Sequence, residues 1–186
     1  HEGEERACIV VKIKIDSVGN KISHKFTRAV IQSWASLEYV EVQKVIDKGK
    51  GKPKVLDLVN TVIKPLYDAY SCLKISRKVR SPLDLNLPER KIEIDEKGIV
   101  KDVRFKERLE AHKLIEEFMI LANVCAAETL SYKKTPTIFR VHEEPDKEKI
   151  EALRKTAVSV GLKLSKGQNI KASHINELLA QAESAP

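Results

Sequence analysis

Cysteine and aromatic residues are scarce in this sequence, and the short motifs of nucleotide and acyl chemistry are missing. The three cysteines, Cys8, Cys72 and Cys125, are widely spaced. With no CxxC pair and no Cys/His cluster, they speak against a zinc site and suit a reducing cytoplasm. Cys8 and Cys125 sit in apolar runs and read as small buried hydrophobes. Aromatic residues make up 5% of the chain, so there is no aromatic-rich platform of the kind that stacks successive bases. GxGxxG, GxxxxGK[ST] and GxSxG are absent, which speaks against a phosphate-cradling loop and a serine nucleophile elbow. No run reaches the roughly 18 apolar residues of a membrane span. Internal repeats and low-complexity linkers are also lacking. The opening residues, HEGEER, are charged and form no signal peptide. They lack a methionine and lead straight into a strand, which points to a cut chain.

What is present is an ordinary globular composition. The chain has 186 residues, 42% apolar and 33% charged, enough for one domain with a real core. The net charge of +7 favours a polyanionic partner, because lysine and arginine at phosphates release counterions. The 27 acidic residues interleaved among the basic ones soften that signal.

Ala7 to Ile15 alternates apolar and basic residues in its second half, a strand pattern. Ser17 to Asn20 supplies turn chemistry, and Lys21 to Ser33 resumes extended character, so the three read as a β-hairpin. Ser36 is the expected N-cap of a helix over Leu37 to Asp47. Lys48 to Lys54, KGKGKPK, reads as a basic loop. Asp57 is expected to cap a long helix from Leu58 to Lys78, kinked or restarted at Pro65. Leu83 to Glu107 forms a second β region with a turn at Glu96-Lys97-Gly98. A third helix over Arg108 to Tyr132 contains no Gly or Pro. Its residues Ala111, Leu114, Ile115, Phe118, Ala122, Cys125 and Thr129 recur at helical spacing, predicting a central, largely buried helix. Thr137 to Val141 reads as a short strand. Pro145 and Asp146 open a helix to Val160, Gly161 stops it, and Ser173 caps a last helix over His174 to Glu183. The fold class is therefore α/β in the mixed α+β sense: β-hairpins packed with long helices around a central buried helix.

A metal-dependent nuclease needs several converging carboxylates. The aspartates at 16, 47, 57, 68, 84, 95, 102 and 146 show no local cluster. Glu143, Glu144 and Asp146 are the densest acidic group and read as the acidic first turn of a helix. His24, His112, His142 and His174 lack metal-ligand spacing. His112 reads as a hydrogen-bonded structural residue, and His142, at a strand end, as structural. Tyr39, taken alone, reads as a packing residue. Glu116 and Glu117 interrupt an apolar stretch, where carboxylates are costly unless partnered. Two readings stay open for them: each faces solvent or an arginine, or one of them reads a polar ligand in a channel.

Four ordered blocks carry a resemblance. They are KFTRAVIQSWASLEYVEVQKVID (Lys25 to Asp47), SPLDLNLPERKIEIDEKGIVKDV (Ser81 to Val103), ERLEAHKLIEEFMILANVCAAETL (Glu107 to Leu130) and IFRVHEEPDKEKIEALRK (Ile138 to Lys155), the last followed by the Gly161-Leu162 stop. In order and spacing, over nearly the whole chain, they resemble the catalytic RNB-type domain of the ribonuclease R / ribonuclease II family. The wording is nearest the ribonuclease R branch, particularly that of α-proteobacteria. The resemblance implies a processive 3′→5′ exoribonuclease that releases nucleoside 5′-monophosphates from single-stranded RNA with magnesium, threading the RNA into a deep channel. It implies that Tyr39 handles the last nucleotide and that Glu116 recognises the terminal ribose. A 2′-hydroxyl both donates and accepts, so a phenol and a carboxylate suit it. Leu85 stands near the place of an aromatic clamp of ribonuclease II, where it leaves only apolar contact with a base.

The chain departs from the family where the chemistry would be. The DxxxxxDxDD aspartate cluster, the serine-proline-isoleucine-arginine segment and the flanking OB-type modules are absent. Residues 1–186 are thus expected to be an internal piece of one catalytic domain. It would be inactive alone, with no catalytic or metal-binding residue and no magnesium of its own. Single-stranded RNA is the expected partner. No membrane or protein partner is implied, and exposed strand edges invite self-association. A catalytically dead stand-alone RNA-binding module is the rival reading. A basic protein with no RNA role is the third.

Overall fold

A computed structural model describes residues 2–83, 85, 90–105, 107–165 and 170–184. Of the LDLNLP stretch only Leu83 and Leu85 fall within that range. The chain divides into two compact units, His1–Ser76 with Pro88–Thr137, and Arg77–Leu87 with Ile138–Pro186.

The first unit opens on an antiparallel hairpin of β1 (Glu5–Ile15) and β2 (Lys21–Gln32). A second hairpin pairs β3 (Arg90–Ile94) with β4 (Val100–Phe105). Both turn on the same device. The Asp16 carboxylate accepts the N–H groups of Val18 and Asn20 at 3.0 and 2.8 Å. The Asp95 carboxylate accepts those of Lys97 and Ile99, both at 2.9 Å. In each, the residue three beyond the aspartate is a glycine in the left-handed region, Gly19 at φ 80° and Gly98 at φ 79°. An aspartate that bonds its own following backbone, with glycine where φ turns positive, is a turn mechanism written in sequence. The two bulges, between Lys14 and Ile15 and between Glu93 and Ile94, fall beside these turns.

Helix α1 (Tyr39–Lys48) begins two residues later than expected, and Ser36 does not cap it. The Ser36 N–H is instead held by the Glu2 carboxylate at 2.6 Å. Short helix α2 (Pro53–Asp57) takes Pro53 into its first turn, so Asp57 ends a helix rather than capping one. A π-helical turn over Val59–Ile63 then leads into α3 (Lys64–Arg80). Pro65 has no N–H to give and its ring crowds the carbonyl a turn earlier. The wide turn that precedes it is the restart the sequence predicts. Val45, Val55 and Ile63 are buried together, with Val42, Leu58 and Tyr67 packed on them.

Helix α4 (Glu110–Tyr132) joins these parts. His24 of β2 bonds the Thr129 hydroxyl at 2.8 Å, and that hydroxyl spends its own proton on the Cys125 carbonyl, also at 2.8 Å. Lys21 pairs with Glu128. Tyr70 of α3 donates to Glu110 at 3.0 Å, and Gln43 of α1 accepts the Ala111 N–H at 3.0 Å. The buried face is narrower than its apolar content suggests. Ala111, Leu114, Glu117 and Cys125 are buried, whereas Ile115, Met119 and Val124 are exposed.

The second unit holds α5 (Lys147–Ser159) and α6 (Ala172–Glu183), with Ala157, Leu164 and Leu178 buried together. Gly161, at φ 77°, ends α5 in a Schellman motif: its N–H bonds Val158 O at 3.0 Å and Leu162 N–H bonds Ala157 O at 2.8 Å. Three local expectations fail here. Asp146 is the N-cap position of α5, so Pro145, Glu143 and Glu144 precede the helix instead of forming its first turn. Lys171 is the N-cap position of α6, so Ser173 lies inside that helix. Residues 137–141 form no strand, and Ile138 is 100% exposed. An apolar run becomes a strand only with a neighbour to complete its hydrogen-bond ladder, and none pairs with this segment among the described residues.

Candidate nucleic-acid interface

The N-terminus of α4 is built by contacts that also place its polar side chains. An α-helix starts with four orphan N–H groups. Here Ala111 N–H goes to Gln43 of α1. The N–H of Leu109, at the N-cap, is taken by Nδ1 of His112 at 3.2 Å. That is the return half of a capping box, with imidazole in place of the usual Glu or Gln. Because Nδ1 accepts, neutral His112 carries its proton on Nε2.

The same imidazole lies against Tyr39. The two rings stack with centroids 4.2 Å apart and an interplanar angle of 23°. Tyr39 is the first residue of α1 and is 43% exposed. Glu116 follows His112 by one helical turn, so the two share a face. Its carboxylate is gripped by the Arg108 guanidinium. Arg108 stands one residue ahead of the N-cap Leu109, so the ion pair ties the segment before α4 to its second turn. Tyr39, His112, Arg108 and Glu116 therefore form one strip. Beside it, Leu37, Tyr39, Val42, Tyr67, Leu114 and Ile115 line much of an apolar cavity of about 240 Å³.

Two of the three expected site residues, Tyr39 and Glu116, are thus brought to one surface through His112. Leu85 belongs to the other unit and is 45% exposed. Of the readings open for Glu117, burial removes the solvent-facing one: it is 3% exposed. The residues that sequence reasoning undervalued are His112 and Arg108. The available signal was the spacing of His112 and Glu116, four residues apart on one helical face.

Glu110 closes the buried side of this end of α4. The Lys113 ammonium, at 2.9 Å, is the main cause that holds its carboxyl below the ordinary glutamate range. The Tyr70 hydroxyl and Lys74 add to it against the opposing effect of burial. Burial, with Asp47 and Glu110 nearby, pushes the Tyr67 phenol up. Among the described residues, no three His, Cys, Asp or Glu side chains converge as a metal site. No helix among them is long and apolar enough to cross a membrane.

The RNB domain family model matches residues 1–186. Ribonuclease R of Escherichia coli is 29% identical over 182 residues, 98% of this chain and 22% of that protein. Ribonuclease R of Thermotoga maritima is 30% identical over 189 aligned residues, 100% of this chain and 26% of that protein. The chain spans about a quarter of the length of these relatives. Among solved structures, Mycoplasma genitalium RNase R in complex with ribose methylated single-stranded RNA superposes with a TM-score of 0.89 at 24% identity, covering 100% of this chain and 29% of that one. That likeness is one of fold.

Proposed function

The chain belongs to the RNB domain family, and on that premise we propose that it is the RNA-channel wall and 3′-terminal ribose reader of a processive 3′→5′ exoribonuclease. The whole enzyme hydrolyses single-stranded or structured RNA to nucleoside 5′-monophosphates. The observation that carries this reading is the strip of Tyr39, His112 and Glu116. It sets an aromatic face and a carboxylate side by side on a partly exposed surface. A terminal nucleotide presents a base face and two ribose hydroxyls, and a carboxylate accepts from hydroxyls that DNA lacks at the 2′ position. Arg108 orients the Glu116 carboxylate. Leu85 gives apolar contact to a base.

Hydrolysis itself belongs to magnesium held elsewhere in the enzyme. Two-metal phosphodiester cleavage needs carboxylates converging on the ions, and the described residues bring none together. On this reading the chain alone binds RNA without cutting it. The net charge of +7 supports a polyanionic partner. The free thiols of Cys8, Cys72 and Cys125 suit a cytoplasmic setting.

The ribose-reading role is tested by fluorescence anisotropy with two oligoadenylates that differ only in a 3′-terminal ribose or 2′-deoxyribose. The wild-type chain prefers the ribose end. In Glu116→Ala that preference falls by roughly tenfold, the worth of one hydrogen bond to a charged group. An unchanged preference removes Glu116 from ribose recognition.

A further inference from the structure

We propose that His112 is the positioning residue of the nucleotide site, and that its two ring functions are separable: the edge caps α4, and the face holds Tyr39 in place. The inference rests on the reading of Tyr39 and Glu116 as contacts to the terminal nucleotide.

Both sides of the imidazole are engaged within the chain. Nδ1 accepts the Leu109 N–H at 3.2 Å, which fixes the ring plane relative to the helix. The ring face lies on Tyr39, centroid to centroid 4.2 Å and 23° from parallel. Tyr39 needs such a support. It stands at the first position of α1, where the N-cap residue Glu38 makes no side-chain capping bond, and it is 43% exposed. A tyrosine in that place would otherwise sample several rotamers. A stacked neighbour restrains it before any ligand arrives, which is how a rigid second residue raises the affinity of a contact residue.

The position of His112 extends the consequence to Glu116. The stack and the carboxylate lie on adjacent turns of one helix face, and Arg108, just ahead of that helix, pairs with the carboxylate. With Nδ1 occupied, neutral His112 has Nε2–H as its remaining polar atom, a donor. One imidazole thus sets the spacing between the phenol ring and the carboxylate, and that spacing measures a terminal ribose and its base.

Two substitutions take the functions apart. His112→Gln keeps an acceptor for the Leu109 N–H, since Gln is a natural partner at this capping position, but it removes the ring face. His112→Phe keeps a ring face and removes the acceptor. Each is made in the 186-residue chain. Thermal unfolding is followed together with anisotropy on oligoadenylates ending in ribose or deoxyribose, with Tyr39→Ala alongside. The expected result is that His112→Gln melts near the wild type yet loses roughly two- to tenfold of its affinity for the ribose-ended RNA, the worth of an aromatic pair. His112→Phe melts lower yet loses less affinity than His112→Gln, because a ring face against Tyr39 remains. If Tyr39→Ala weakens binding and His112→Gln does not, the positioning role is overturned and the Tyr39 reading stands. If the affinity loss follows the melting temperature across the two variants, His112 is only a cap and the proposal fails. If Tyr39→Ala leaves binding unchanged, the reading of the site fails and takes this inference with it.

Discussion

Gly19 meets two constraints at one backbone position. Its φ of 80° lies where an L side chain is strained, and an added Cβ would stand 2.2 Å from the carbonyl oxygen of Cys72 in α3. Gly98, in the matching turn, has the same φ but open space around it. Gly98→Ala is therefore expected to cost about 1–2 kcal/mol, the left-handed penalty alone. Gly19→Ala is expected to cost well beyond that, because backbone must also shift. Urea unfolding of the two variants checks the order, and equal losses would contradict it. The glycines and their turns were legible in the sequence, since turn residues interrupted alternating strands. The contact with Cys72 was not, because nothing local says which helix a turn will meet. The same limit applied at the site. Tyr39 and Glu116 entered through family resemblance, while residue pattern alone left Glu116 open between solvent or an arginine on one side and a ligand on the other; the structure gives it an arginine, Arg108. The stack of Tyr39 on His112 joins distant parts of the chain and has no local signature.

Among the elements, α4 was the most legible, from its unbroken run of helix formers and its apolar spacing; it starts two residues later than expected and ends at Tyr132 as read. Cap assignments at Ser36, Asp57 and Ser173 failed because the helices start elsewhere: α1 beyond Ser36, α2 at Pro53 so that Asp57 ends it, and α6 ahead of Ser173. At α1 the Glu2 carboxylate took the Ser36 N–H. At α4 and α6 a histidine at the third helical position took the N–H of the N-cap residue. The strand expected at 137–141 failed because apolar residues alone do not supply a pairing partner. The Glu110 cluster ties α3 to α4 and gives this junction a pH dependence. Lys113, with Tyr70 and Lys74, lowers the Glu110 carboxyl in the folded chain. A depressed folded value means the contribution is complete above the unfolded value and is lost as pH falls through the folded one. The stability gap between wild type and Glu110→Gln is therefore constant near neutrality and narrows below the ordinary glutamate range. Denaturant midpoints measured across that range check it, and a gap that stays constant into acid would contradict the coupling.

The whole molecule combines a net charge of +7, a stack of Tyr39 on His112 one helical turn from Glu116, and no convergent carboxylates among its described residues. The mixed α+β class was legible because strand alternation and helical spacing stayed in separate segments. The division into two units was not, since residues 77–87 leave the first unit for the second with no linker composition to mark the change. The proposed function divides labour: this RNB-family chain would recognise the 3′ end, and the metal chemistry would lie elsewhere. The most direct measurement follows a 5′-labelled single-stranded RNA with the purified 186-residue chain in magnesium, sampled over time on native and denaturing gels. The account predicts a retarded complex that weakens as salt rises, with the RNA still full length at the last time point. Stepwise shortening from the 3′ end with release of nucleoside 5′-monophosphates would contradict it.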